Sequence, residues 1–295
     1  MNKNKIYSLL SNINRPLILD GAMGSLLQQR GFKSDKYLWM SYLNFKNPNL
    51  IKEIHKEYIN SGCDIISTNT FRTNPNSLKN ANINFDQNIV VEQSLNIAKE
   101  AVCESNILIA GSNPPAEDSY QSIRTISKND LIHNHHQHID LLYKYGSDFI
   151  LNETQSHFDE IEIICKFCFE NNIPYVISLL ITEELKILSG ETLSEVIDLV
   201  KHYNPLLVCF NCIFPETFIK LLNSEFNINN WGFYLNCGNG NYSDENISCG
   251  ISPNKYLEFV RASLAFHPKL IGTCCGSNPN HTKTIRDFLN EKIGS

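Results

Sequence analysis

The 295-residue chain is 42% apolar and 19% charged, with a formal net charge of −6. That composition can bury a full core, which excludes a disordered chain, and the absence of any Lys/Arg block excludes the electrostatic footprint of a nucleic-acid binder. Residues 1–10 lack the apolar core of a secretory signal and no run reaches the ~18 apolar residues of a membrane span, so a cytoplasmic, thiol-reducing setting is expected for the ten cysteines.

Along the chain, short β-branched or apolar runs alternate with longer amphipathic segments. Strands are expected at Leu17–Leu19, Asp64–Thr68, Leu108–Ser112, Asp148–Asn152, Tyr175–Leu179, Leu206–Asn211, Gly232–Asn236 and Lys269–Thr273. Helices are expected near 48–61, 88–104, 129–145, 157–171, 192–203, 215–225, 253–266 and 279–291. Pro48 suits a first helical turn, Ser252 with Pro253 reads as an N-cap and N1 pair, and Gly62 and Gly146 end their helices. Strict alternation of strand and helix predicts the α/β class with a parallel sheet. Eight such units in a chain of this length predict closure into a single (β/α)8 barrel, the TIM architecture, with an open doubly wound sheet as the alternative. No linker, low-complexity tract or charge block interrupts residues 1–295, so one barrel domain is expected.

In such a barrel the chemistry sits in the loops that come after the strands. Those loops read Asp20-Gly21-Ala22-Met23-Gly24, Thr68-Asn69-Thr70-Phe71, Gly111-Ser112-Asn113-Pro114-Pro115, Asn152-Glu153-Thr154, Asn211-Cys212, Asn236-Cys237-Gly238 and Cys274-Cys275-Gly276. Polar, glycine and thiol residues thus collect at one rim. The adjacent pair Cys274-Cys275 is the sharpest feature, because neighbouring cysteines rarely close a disulfide with each other but can chelate one soft metal. Zinc takes thiolates at ~2.3 Å in a tetrahedral shell, and a catalytic site leaves one of the four positions open. Cys212 comes directly after the sixth strand and supplies a third ligand if the barrel closes; three unrelated buried thiols are the blander reading.

Other features carry less. Cys209 lies three residues from Cys212, so in a strand it faces the other way. Cys165 and Cys168 lack a second pair and read as packing, while Cys237 is expected to neighbour the site. His133, His135, His136 and His138 are read as a solvated face of the 129–145 helix. The first loop lacks the G-x-G-x-x-G spacing of a dinucleotide site.

The segments Leu19-Asp20-Gly21-Ala22-Met23-Gly24, Asn69-Thr70-Phe71, Phe210-Asn211-Cys212 and Ile271-Gly272-Thr273-Cys274-Cys275-Gly276 resemble the homocysteine S-methyltransferase family. They occur in the family's order and cover nearly the whole chain. The resemblance implies Zn2+ on Cys212, Cys274 and Cys275, which act in catalysis through the metal, with the sulfur of L-homocysteine at the open position. It implies a sulfonium or ammonium methyl donor, S-methylmethionine foremost, and methionine as product. Asp20 and Glu153 match acidic positions that hold the homocysteine amino group in the family. On local chemistry alone, Asp20 could cap the glycine turn and Glu153 could sit at a helix N-terminus. Asn69, Thr70, Phe71 and Asn236 are further expected substrate contacts. Trp39, Tyr42 and Phe71 offer aromatic faces to an onium centre, with ordinary packing as the alternative.

Two departures from the family pattern stand out. Thr273 occupies the usual place of a second glycine, and Asn113-Pro114-Pro115 replaces a Gly-Pro-Tyr type of loop. With no corrinoid or folate module among these residues, two alternatives stay open: a homocysteine-activating chain that serves a separate corrinoid protein, and a non-catalytic zinc–thiolate barrel. Selenohomocysteine or another small thiol is an alternative acceptor. The expected partners are small molecules, not nucleic acid or membrane, and the sequence carries no signal for oligomeric state.

Overall fold

Eight apolar runs, each too short for a stable helix, form parallel strands in a computed structural model that describes residues 6, 10, 14–82, 86–103, 105–224, 226, 228–239 and 247–293. The strands are β1 (Leu17–Ile18), β2 (Ile65–Ser67), β3 (Leu108–Asn113), β4 (Phe149–Gln155), β5 (Tyr175–Leu179), β6 (Leu207–Asn211), β7 (Trp231–Leu235) and β8 (Leu270–Thr273). They pair in the order β1-β8-β7-β6-β5-β4-β3-β2. A parallel bridge between Leu19 and Ile65 joins the two ends, with Asp64 N–H donating to Ile18 O at 2.7 Å and Asp20 N–H to Ile65 O at 2.9 Å. The fold is therefore a single (β/α)8 barrel, and the open sheet is excluded.

The helices predicted from periodicity are all present: Pro48–Asn60, Gln87–Val102, Lys128–Lys144, Phe158–Glu170, Leu193–His202, Pro215–Leu222, Pro253–Ser263 and Pro279–Ile293. Positions 104 and 225, at the ends of two predicted helices, lie outside the described residues. Asn47 and Ser252 cap the helices that begin at Pro48 and Pro253, and Gly62 (φ +91°) and Gly146 (φ +98°) take the left-handed backbone that stops a helix. Three shorter helices, Met23–Gln29, Leu43–Lys46 and Pro75–Asn80, were not anticipated. They lie in the loops after β1 and β2, and two turns or fewer give too few apolar positions for a periodic signal.

Strands covered by helices outside and by one another inside are buried on both faces, so they read as continuous apolar runs. Leu17, Leu108, Ala110, Phe149, Leu151, Val176, Leu207 and Cys209 fill the barrel interior, while Ile18, Ile66, Ile109, Ile150, Ile177 and Ile271 meet the helices. Cys165 and Cys168 belong to the strand–helix core, as their spacing predicted, but Cys209 faces the barrel interior, and it does not oppose Cys212 because the left-handed backbone of Cys212 breaks the strand alternation.

The histidine run departs from expectation. His133 is exposed, but His135 and His138 share a buried stripe with Leu131 and Leu142, positions related by the helical i, i+4, i+7 spacing. His135 Nε2 meets Glu160 Oε1 at 2.7 Å, and His138 meets Asn113 Oδ1 at 2.8 Å and Thr73 Oγ1 at 2.9 Å. Glu160 also accepts Ala116 N–H at 2.8 Å, and Arg124 lies 3.7 Å away. Burial lowers the His138 pKa to about 3, so it stays neutral. A solvated face was the wrong reading because these rings satisfy the buried Glu160 and Asn113. Together they fix the start of the loop after β3.

At the opposite end of the barrel, Asp64 clamps the β1–β2 seam. Its carboxylate takes two hydrogen bonds from Arg15, at 2.7 and 2.9 Å, one from Arg286 at 2.8 Å and one from Ile18 N–H at 2.8 Å. Burial alone would raise its pKa, but the bonds from Arg15, Ile18 and Arg286 outweigh it and hold the carboxyl below the ordinary range. A depressed pKa means that this stabilisation is complete above the unfolded-state value and is lost as pH falls through the folded one. Asp64→Asn should cost about 3 kcal/mol at pH 7, and should flatten the loss of stability below about pH 4 seen in the parent; urea unfolding across pH measures both. Glu160→Ala, which strands His135, Arg124 and the Ala116 N–H, should cost a similar ~3 kcal/mol in the same assay, whereas a solvated histidine face would predict almost none.

Candidate active site and metal centre

The loops after the strands enclose a cavity of about 870 Å³ at the C-terminal mouth of the barrel. Its floor holds the three sulfurs singled out in the sequence. Cys212, Cys274 and Cys275 bring their Sγ atoms within 4.8 Å of one another, and Cys212 and Cys275 are 3.6 Å apart. Each reaches this point by a local device. Cys212 takes a left-handed backbone, φ +54°, immediately after β6, which turns its side chain toward the barrel axis at a cost of about 1 kcal/mol. Cys274 is tied by its N–H to Leu235 O at 2.9 Å, and Cys275 O accepts Cys237 N–H at 2.7 Å. Gly276 (φ +82°) closes the turn where any Cβ would lie 2.4 Å from Gly238 N, so only glycine lets the loops after β7 and β8 touch.

Three thiols so close influence one another strongly. Hydrogen bonds from Cys274 and Cys275 hold Cys212 well below the ordinary thiol range, despite its burial. The same contacts with Cys212 push Cys274 and Cys275 up. Cys237 is not part of the group: it is fully buried, its thiol faces Leu235 O, and burial raises its pKa.

Two carboxylates face the same cavity. Asp20 accepts Ser67 N–H and Ser67 Oγ–H, both at 2.9 Å, across the β1–β2 seam, so it does not cap the glycine turn. Glu153 accepts the Ser112 hydroxyl. It stands inside β4 and not at a helix N-terminus, because β4 runs three residues past its predicted end. Between Asn152 and Gln155 the register slips by one residue against β5, and Thr154 adopts φ +62°. Such a bulge re-aims a side chain. Asn211 pins it by accepting Thr154 N–H at 2.8 Å and donating to Thr154 Oγ1 at 2.9 Å. Burial raises the Asp20 pKa well above the carboxylate range, and it raises Glu153 to about 7. Two carboxylates on one cavity wall that make no ion pair among the described residues suit an ammonium group.

The remaining predicted contacts divide. Trp39, Asn69, Phe71 and Asn236 line the cavity. The Asn69 amide nitrogen is already committed to Met40 O and Asn44 Oδ1, and Asn236 Oδ1 accepts Gly238 N–H. Thr70 is buried away from the cavity, where it donates to Ser112 O at 2.7 Å. Tyr42 also lies outside the cavity, with its hydroxyl on Lys33 O. Sequence reasoning missed Tyr120, whose hydroxyl sits 3.1 Å from Cys212 Sγ, and Arg72, whose guanidinium stacks over the Phe71 ring at 5.2 Å. Tyr120 sits deep in the loop after β3, where nothing local marked it. Arg72 was legible only as the residue next to Asn69-Thr70-Phe71.

Comparison with known proteins places this arrangement. The family described as Homocysteine S-methyltransferase matches residues 17–289. Betaine--homocysteine S-methyltransferase 1 of Rattus norvegicus is 24% identical over 309 residues, covering 96% of this chain and 74% of the rat protein. The metallated form of the homocysteine methyltransferase MmuM from Escherichia coli superposes with a TM-score of 0.80 at 22% identity, over 97% of this chain and 100% of that one. Its apo form gives 0.73, also at 22% identity, over 96% and 99%. The mouth of this barrel thus carries its late cysteine pair, its single cysteine after β6 and its two acids on a fold shared with those enzymes, and the chain is a methyltransferase that belongs to the homocysteine S-methyltransferase family.

Proposed function

We propose that this protein moves a methyl group from a sulfonium or ammonium donor, S-methylmethionine foremost, to the sulfur of L-homocysteine, forming methionine. The observation that carries the reading is the convergence of three cysteine sulfurs from β6 and β8 on the floor of an open cavity. The donor set fits zinc. A tetrahedron with bonds of ~2.3 Å has edges of ~3.8 Å, and the Cys212–Cys275 separation of 3.6 Å is close to that. Cys212, Cys274 and Cys275 would hold Zn2+, which supplies a coordination position where a substrate thiol loses its proton at neutral pH.

The chain's own residues supply the rest. Asp20 and Glu153 hold the homocysteine ammonium, which directs the thiol of the same molecule toward the cysteine cluster. Neither acts as a general base. The Tyr120 hydroxyl shares a hydrogen bond with Cys212 Sγ at 3.1 Å and so helps to hold that sulfur in place. Trp39 offers a face for the cationic methyl group, whereas Phe71 already carries the Arg72 guanidinium. Methyl transfer is an in-line displacement, so the gain from fixing both substrates is chiefly one of alignment. A cavity of about 870 Å³ accommodates acceptor and donor together, which a metal-storage site would not need. The name of the rat relative joins betaine, an ammonium donor, to homocysteine, and supports the same donor class here.

Purified protein should contain about one zinc per chain, and Cys212→Ser, Cys274→Ser or Cys275→Ser should each abolish both zinc retention and homocysteine methylation. Full activity after exhaustive chelation would sink the zinc assignment. Asp20→Asn and Glu153→Gln should raise the KM for homocysteine about ten- to a hundredfold while metal content stays unchanged. A thiol of similar length without an amino group, 4-mercaptobutyrate, should be a poor substrate for the parent and should gain nothing from either carboxylate. Equal use of the two thiols would remove the assigned role of Asp20 and Glu153.

A further inference from the structure

Among the described residues, Arg72 makes no ion pair with a carboxylate. Of the other arginines, Arg15, Arg30, Arg124 and Arg286 each make an ion pair with a carboxylate, and Arg261 is exposed. Arg72 is half-buried and lines the cavity, yet no carboxylate among the described residues lies within 4.0 Å of it. Its side chain makes one hydrogen bond within the described residues, from Nη1 to Glu117 O at 2.8 Å, and its plane rests over Phe71. Guanidinium carries five donors in a planar fork suited to a carboxylate, so most of that capacity faces the cavity unused. Lys33 and Lys36 also line the cavity, but both are exposed.

We infer that Arg72 is the residue that binds the carboxylate of the methyl donor and so selects donors that carry one. The acceptor also carries a carboxylate, but on the same carbon as the ammonium that Asp20 and Glu153 would hold. Arg72 is anchored on a different segment: its Nη1 donates to Glu117 O in the loop after β3, whereas Asp20 accepts from Ser67 and Glu153 from Ser112. Asp118 lines the same cavity and its charge acts on Arg72, but the two make no ion pair, and the Asp118 carboxylate accepts Tyr120 N–H at 2.8 Å. Arg72 also comes directly after Phe71 and lines the same cavity as Trp39. A role limited to pinning Glu117 O would need one donor and no charge.

This inference rests on the methyl-transfer reading, and its test separates the two. The zinc-loaded parent, Arg72→Gln and Arg72→Lys would be compared with S-methyl-L-methionine and with its methyl ester, in which the carboxylate is capped. Calorimetry measures binding of each, and initial rates give KM for donor and for homocysteine. The parent should bind the free acid about ten- to a hundredfold more tightly than the ester. Arg72→Gln should lose that preference with the homocysteine KM unchanged, and Arg72→Lys should retain part of it. Equal binding of acid and ester by the parent, or failure to bind either, would overturn the inference without recourse to any variant. An Arg72→Gln defect confined to homocysteine would also overturn it, by moving the carboxylate to the acceptor. Acid-selective binding without methyl transfer would keep the assignment of Arg72 and remove the transfer reading, while turnover of acid and ester at equal rates would do the reverse.

Discussion

Three sulfurs held within 4.8 Å of one another at the mouth of the barrel are the constraint around which the rest is arranged. Polarisable but repulsive when ionised, thiols do not gather in this way for packing; they do so where a soft cation or shared protons offset the repulsion. The barrel supplies the convergence. Neighbouring strands tilt around a common axis, so residues just past the ends of β6 and β8 point at one spot although about sixty positions separate them in sequence. Closure by the Leu19–Ile65 bridge and the Asp64 clamp completes the ring and places Asp20 beside the same floor.

Some of the left-handed non-glycine backbones among the described residues border the cavity. Cys212 and Thr154 hold left-handed backbones that non-glycine residues seldom adopt, and β4 carries its bulge at Glu153. These distortions accompany the placement of Cys212 and Glu153 on the cavity wall. The cavity wall carries both signs, with Asp20 and Glu153 at the ends of β1 and β4 and Arg72 in the loop after β2. Such a layout suits two substrates that each carry both signs.

Much of this was legible in the residues themselves. The alternation of short apolar runs with amphipathic segments identified the barrel, and the residues at the C-terminal end of each strand marked Cys212, Cys274, Cys275, Asp20 and Glu153 as neighbours across the rim. The misses share a cause. His135 and His138 look like surface residues by type, and only the facing Glu160 and Asn113 explain why they are inside. Thr70 and Tyr42 stand beside real lining residues in sequence but point elsewhere, because a loop has no fixed period from which direction can be read. Tyr120 and Arg72 escaped notice for the same reason.

What the sequence determined by itself was local and periodic: strand and helix order, caps, and the chemical character of each loop. Those arise from hydrophobic spacing and backbone propensity within a few residues. The tertiary structure alone decided that three thiols meet, that a bulge turns Glu153 inward, that Asp20 serves the β1–β2 seam and that Arg72 makes no ion pair among the described residues. Each of these depends on contacts between segments distant in the chain, where direction and distance are set by closure of the whole barrel and by no interaction inside a single element.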